Sequence, residues 1–139
     1  MRIAGTRFGS IEVDEERAMT FPRGLIGFPD KRRYVLLEPR GNSRVAWLQS
    51  LEMPALAFPV LDGTGFGDEY PQPRAKELAK TAGLGMTEVA VLVVVAVASE
   101  SKGLLANMLA PLVVDLETRT GAQVVLDHHR FSAATPLGV

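Results

Sequence analysis

Most of this chain reads as short strands, and one of them alternates strictly between apolar and polar side chains. Ser10-Ile11-Glu12-Val13-Asp14 puts Ile11 and Val13 on one face and Glu12 and Asp14 on the other, the pattern of a half-exposed strand. Gly9 supplies a turn from a preceding segment, Arg2 to Phe8. Short strands are predicted at Arg33 to Leu37, Val45 to Ser50 and Leu56 to Leu61, bounded by Pro39-Arg40-Gly41-Asn42, Met53-Pro54 and Asp62-Gly63. The longest apolar run is Val89 to Ala98. Its valines at 89, 91, 93, 95 and 97 share one face, and Ala90, Leu92, Val94, Ala96 and Ala98 share the other. Both faces are apolar, so both must be covered, and the β-branched content argues for a central strand. Small side chains on the second face predict that a helix or second layer approaches there.

That helix is predicted over residues 73–82. Ala75, Leu78, Ala79 and Ala82 fall on one face, Pro73 suits the first helical position, and Gly83 suits the left-handed residue after the end. The stretch from Thr20 to Asp30 holds Pro22, Gly24, Gly27 and Pro29, which forbid regular structure; Phe21 and Phe28 pin it to the core. Glycines at 63, 65 and 67 and prolines at 71 and 73 predict a mobile surface loop from Asp62 to Gln72.

Towards the end, "GLLANMLAPLVVD" sets Asn107 and Pro111 inside an apolar run. Proline cannot donate to a sheet ladder, but it is harmless as the first residue of a strand. Gly103 to Leu109 and Leu112 to Leu116 are therefore read as two elements with a corner between them. Asn107 either satisfies backbone groups at that corner or faces a partner. A hairpin joins Leu112 to Leu116 with Ala122 to Leu126 through Glu117-Thr118-Arg119-Thr120-Gly121. From His128 onward the chain reads as loosely attached. The fold class is mainly β: a small antiparallel or mixed β-barrel-like single domain with one short helix. The domain covers residues 1–131 and a short tail covers 132–139.

Composition narrows the function more than it names it. The 139 residues carry 15 basic and 16 acidic side chains and no cysteine, so disulfides and thiolate metal sites are excluded. Direct nucleic-acid binding is not expected, because a binder of polyanions shows a basic excess or stripe. The run Lys31-Arg32-Arg33, with Arg40 and Arg44, reads as a solvated edge. No signal-like stretch opens the chain, and the longest apolar run is half of the about 20 residues that cross a bilayer, so a cytoplasmic, membrane-free protein is expected.

Reactive groups are few. Ser50 lacks a glycine elbow, and Ser99 and Ser101 flank Glu100 in a loop. His128 and His129 are adjacent, and neighbours on an extended strand point to opposite faces, so they are not expected to share a metal or substrate. Glu12, Asp14, Glu15 and Glu16 read as a solvent face rather than an acid–base pair. The glycines at 63, 65 and 67 lack the Lys-Ser or Lys-Thr of a phosphate loop. No catalytic residue, cofactor or metal is assigned.

A series of blocks in order resembles a known family: "FGSIEVDEE", "MTFPRGLIGF", "RYVLLEP", "VAWLQS", "LAFPV", "VAVLVVV", "LLANMLAPLVVD" and "GAQVVLD". Together they are similar to the bacterial flagellar assembly factor FliW family over most of the chain. Ile26 replaces a frequent family proline, the Asp62 to Arg74 stretch is richer in glycine, and His128-His129 stands where acidic or small polar residues are common. The resemblance implies a cytoplasmic, non-enzymatic protein that binds the translational regulator CsrA and lifts its repression of flagellin mRNA. It also implies binding to flagellin, which competes for the same factor. Partner contacts are expected at Asn107, Leu109, Pro111, Glu69 and Tyr70. The alternative is a small barrel that binds flavin or another ligand, or acts as an enzyme.

Overall fold

The computed structural model describes residues 1–99 and 103–137; Glu100 and Ser101 lie outside that range. In chain order the strands are β1 (Arg2–Thr6), β2 (Gly9–Glu12), β3 (Met19–Thr20), β4 (Arg33–Leu37), β5 (Ala46–Ser50) and β6 (Ala57–Asp62). Then come helix α1 (Ala75–Thr81), β7 (Val89–Ser99), β8 (Gly103–Ala106), β9 (Leu112–Asp115), β10 (Thr120–Gln123) and β11 (Thr135–Pro136).

Seven of these strands close a ring. From β3 to β7 each strand lies antiparallel beside a ring neighbour, with Tyr34 opposite Ser50, Leu48 opposite Phe58 and Val60 opposite Val94. The first half of β7 also pairs with β9, Val91 opposite Val113, and β9 pairs with β10. A single parallel bridge, Thr120 beside Thr20, joins β10 to β3 and closes the barrel. The mixed seven-stranded barrel is the expected fold class, with its sense now fixed.

Beyond the ring, the second half of β7 pairs with β8, and β8 pairs with β11 through Thr135 opposite Ala106. The described chain after His128, to Leu137, is therefore not loose. It returns as an edge strand, where Pro136 lacks a donor at no cost to the ladder.

Alternation along β7 gives it two interiors. Leu92 and Val94 face into the barrel with Met19, Phe21, Tyr34, Leu48, Val60, Leu112 and Val114. A small barrel is filled by its own inward side chains, and here Phe21, Tyr34, Leu48, Val60 and Leu112 are fully buried. Phe21 meets Tyr34 edge-on at 5.8 Å, and Phe28 meets Phe58 at 5.6 Å, so both aromatics pin the loop after β3 as expected. Burial, with Glu52 and Asp30 nearby, pushes the Tyr34 hydroxyl up to about 12.

The odd-numbered valines take the other side. Val91, Val93 and Val95 pack under Leu78 and Ala79 of α1 with Val113 and Leu126. The sequence pattern placed the helix over the small-residue face; the valine face receives it instead. Leu92 and Val94 share that supposed small face, and they are needed inside the barrel. The helix has 7 residues, too few to persist alone. Burying Leu78 contributes about 2 kcal/mol towards holding it.

Three boundaries differ from expectation. The first backbone carbonyl of α1 to accept is that of Arg74, from Leu78 at 3.0 Å, so Pro73 stands before the cap rather than in the first turn. Gly83 does adopt φ +80 after the helix. The β9–β10 turn is tighter than the five residues expected, because Thr120 and Gly121 already pair with Asp115 and Val114. Its left-handed residue is Arg119, at φ 57. Gly121 is glycine for another reason: a Cβ there would stand 2.5 Å from Cε2 of Phe21. Finally, the Asp62 to Gln72 stretch is not a free loop. It contains a 3-10 turn at Gly63–Phe66, and Tyr70 is buried.

The N-terminal hairpin β1–β2 covers the outside of β4. Ile3 and Val13 bury against Val35, and the Met1 and Val13 backbones exchange two hydrogen bonds of 2.8 and 3.0 Å. At its tip the Arg7 guanidinium sits 4.0 Å over the Trp47 ring, and Phe8 meets the same ring edge-on at 5.4 Å.

Candidate functional site

The corner between β8 and β9 is built by hydrogen bonds that the ladder cannot make. Asn107 N–H donates to Val94 O at 2.8 Å, and Asn107 Oδ1 accepts from Ala110 N–H at 3.1 Å. The backbone N–H groups of Met108 and Leu109 both donate to Ser132 O, and Leu109 O accepts from Leu126 N–H at 2.7 Å. Pro111 O accepts from Val124 N–H, so β10 continues to pair beyond Gln123. The reading of Asn107 as an amide that satisfies a corner matches this geometry.

Tyr70 joins the loop after β6 to that corner. Its hydroxyl donates to Met108 O at 3.0 Å, and its ring lies edge-on between Phe66 at 5.6 Å and Phe131 at 5.2 Å. Burial makes this hydroxyl a weaker acid and pushes its pKa well above the ordinary phenol value. The structure thus brings Tyr70 together with Asn107, Leu109 and Pro111. Tyr70 and Pro111 are buried and shape this end of the molecule. Glu69 is exposed, and Asn107 and Leu109 are partly exposed, so these three present its surface.

Sequence reasoning missed Met108, Phe131 and Gln123. The Gln123 side chain bridges two loops: Nε2 donates to Ala110 O at 3.0 Å, and Oε1 accepts from Ile26 N–H at 2.7 Å. The only sequence signal for Gln123 was a polar side chain between Ala122 and Val124. Beside it a groove of about 520 Å³ runs between the loop after β3, the end of α1 and β10. Ile26 and Val125 flank it at 63% and 62% exposure, values high enough to make them apolar contact points rather than core.

The candidate chemistry resolves into structure. Ser50 Oγ accepts from Glu52 N–H and Met53 N–H at 3.1 and 2.9 Å, the role of a turn cap. Asp62 Oδ1 takes the Thr64 N–H and hydroxyl, each at 2.9 Å, so a carboxylate holds the glycine-rich turn where a phosphate loop would need an anion. The backbone N–H groups of Arg32 and Arg33 converge on Glu52 Oε1, which holds that carboxyl below its usual range, and Lys31 Nζ lies 3.3 Å from Asp30. Glu12, Asp14, Glu15 and Glu16 are exposed, and Asp14 caps the turn Glu15–Arg17 through Glu16 N–H at 3.0 Å. With the barrel interior filled by buried side chains, the flavin or ligand alternative has no room there.

One expectation is overturned. His128 and His129 do not point apart, because they sit in a turn and not on an extended strand; their ring centroids are 4.0 Å apart.

Among the described residues, no helix is long and apolar enough to cross a membrane. Comparison with known proteins is consistent along the whole length. The family model described as FliW protein matches residues 2–137. A flagellar assembly factor FliW from Bdellovibrio bacteriovorus is 36% identical over 138 residues, covering 99% of this chain and 79% of that protein. One from Natranaerobius thermophilus is 36% identical over 140 residues, covering 99% and 92%. A solved crystal structure of the flagellar assembly factor FliW superposes with a TM-score of 0.81 at 27% identity, covering 100% of both chains.

Proposed function

This chain belongs to the FliW family of flagellar assembly factors, and on that premise we propose that it acts by exchanging protein partners in the cytoplasm. In this reading it binds the translational regulator CsrA and relieves repression of flagellin mRNA. Flagellin competes for the same factor, so newly made flagellin releases CsrA and slows its own translation. No bond is made or broken by the factor itself.

Whole-chain membership of the family carries the proposal. Three features of the molecule support it. The interior is packed, which leaves the outside as the working part. The corner of Asn107 and Leu109, with Glu69 of the neighbouring loop, offers a surface held in shape by buried Tyr70 and Pro111. Exposed Glu12, Asp14, Glu15 and Glu16 provide an acidic edge that complements a basic RNA-binding partner.

Calorimetric titration with purified CsrA and with flagellin tests the reading. Both partners are expected to bind, and flagellin is expected to displace CsrA; failure of either to bind removes partner exchange. Reversing Glu12, Glu15 and Glu16 to lysine, with the capping Asp14 kept, is expected to weaken CsrA binding and flatten its salt dependence. An unchanged salt slope would take the acidic edge out of the interface.

A further inference from the structure

The turn after Leu126 carries a cluster that partner exchange does not use. Asp127, His128 and His129 are exposed, and each offers a donor atom within 4.8 Å of the others. Donors about 2.0–2.1 Å from a shared zinc-type ion stand about 3–4 Å apart, so modest side-chain rotation closes the set.

The turn is held on both sides. Arg130 N–H and Phe131 N–H both donate to Asp127 O at 3.0 Å, and His129 N–H donates to Asp127 Oδ1 at 2.9 Å. Upstream, Leu126 is buried and bonded to Leu109 O; downstream, the Phe131 ring packs on Tyr70. Among the described residues, Asp127 Oδ1 is the carboxylate oxygen held by the turn. The neighbouring Arg130 guanidinium lies 5.6 Å over the Phe131 ring, a position that draws its charge towards the aromatic face.

We propose that Asp127, His128 and His129 form a surface site for a divalent transition metal. Two imidazole nitrogens and one carboxylate oxygen suit zinc, nickel or copper(II) and not calcium or magnesium, which take oxygen ligands. Three protein donors leave at least one position for water or for a donor brought by a partner. Through Leu126 and Leu109 the metal is placed next to the corner that carries Asn107.

The chain has two histidines and no cysteine, so imidazole–metal binding reads on this pair alone. The test is calorimetric titration of the untagged full chain with zinc and with nickel, alongside thermal melts. One equivalent is expected to bind and to raise the melting temperature, as a ligand of the native state must. Replacing His128 or His129 by alanine is expected to lower affinity by about tenfold or more, the scale seen when even outer hydrogen bonds of metal ligands are lost. Asp127→Asn keeps the turn's acceptor and removes the charged donor, and it is also expected to weaken binding. The proposal is overturned by no binding to the parent chain, by parental affinity in either histidine variant or in Asp127→Asn, or by equal affinity of the urea-unfolded chain.

Discussion

The Asn107 side chain holds the Ala110 N–H while its backbone N–H reaches across to Val94. Asn107→Ala leaves that partly buried donor without a partner and is expected to cost about 1 kcal/mol in urea unfolding, with Asn107→Asp restoring much of it. Partner affinity of the folded alanine variant then separates two roles, since a contact residue loses binding beyond what stability explains. Asn107 was legible because an amide between apolar neighbours and a proline has few places to go. Gln123 was not, because its polar side chain between apolar neighbours says nothing of its partner, the Ile26 N–H 97 residues away. His128 and His129 were misread because adjacent residues point apart only on an extended backbone, and Asp127 bends this one into a turn.

Among the elements, the hairpin β9–β10 turns on Asp115. Its carboxylate accepts from the Thr118 hydroxyl at 2.8 Å and from Glu117 N–H at 3.0 Å, and these bonds, the Thr118 one foremost, hold its pKa below the usual aspartate value. The folded protein therefore binds this proton less readily than the unfolded chain does. The stabilisation is present above the unfolded value of about 3.9 and is lost as pH falls through the lower folded value. Asp115→Asn is expected to lower stability at neutral pH and to make the acid loss shallower, read by urea titrations across the acid range. Strands β4, β5 and β6 were legible almost residue for residue, because the proline, glycine and asparagine turns that bound them are a local property. The turn length was not, since Gly121 looked like turn chemistry while its real cause, the Phe21 ring, comes from the far end of the chain. Which face of β7 meets α1 was equally hidden, because both faces are apolar and only the closed ring decides between them.

The whole molecule depends on how that ring shuts. Its closing bridge, Thr20 beside Thr120, lies next to Phe21 and Gly121. Gly121→Ala forces a methyl group against a ring that is fully buried, so a loss of about 1–3 kcal/mol is expected in thermal melts, with no strand removed. A second consequence follows from β7, whose first half is staved into the barrel while its second half carries β8. The strand is a party wall. Leu92 and Val94 furnish one room and Val91, Val93 and Val95 the other, so sliding it by a single residue would exchange the occupants of both at once. Because one backbone lines both rooms, a shift of the strand in the outer one is carried into the inner.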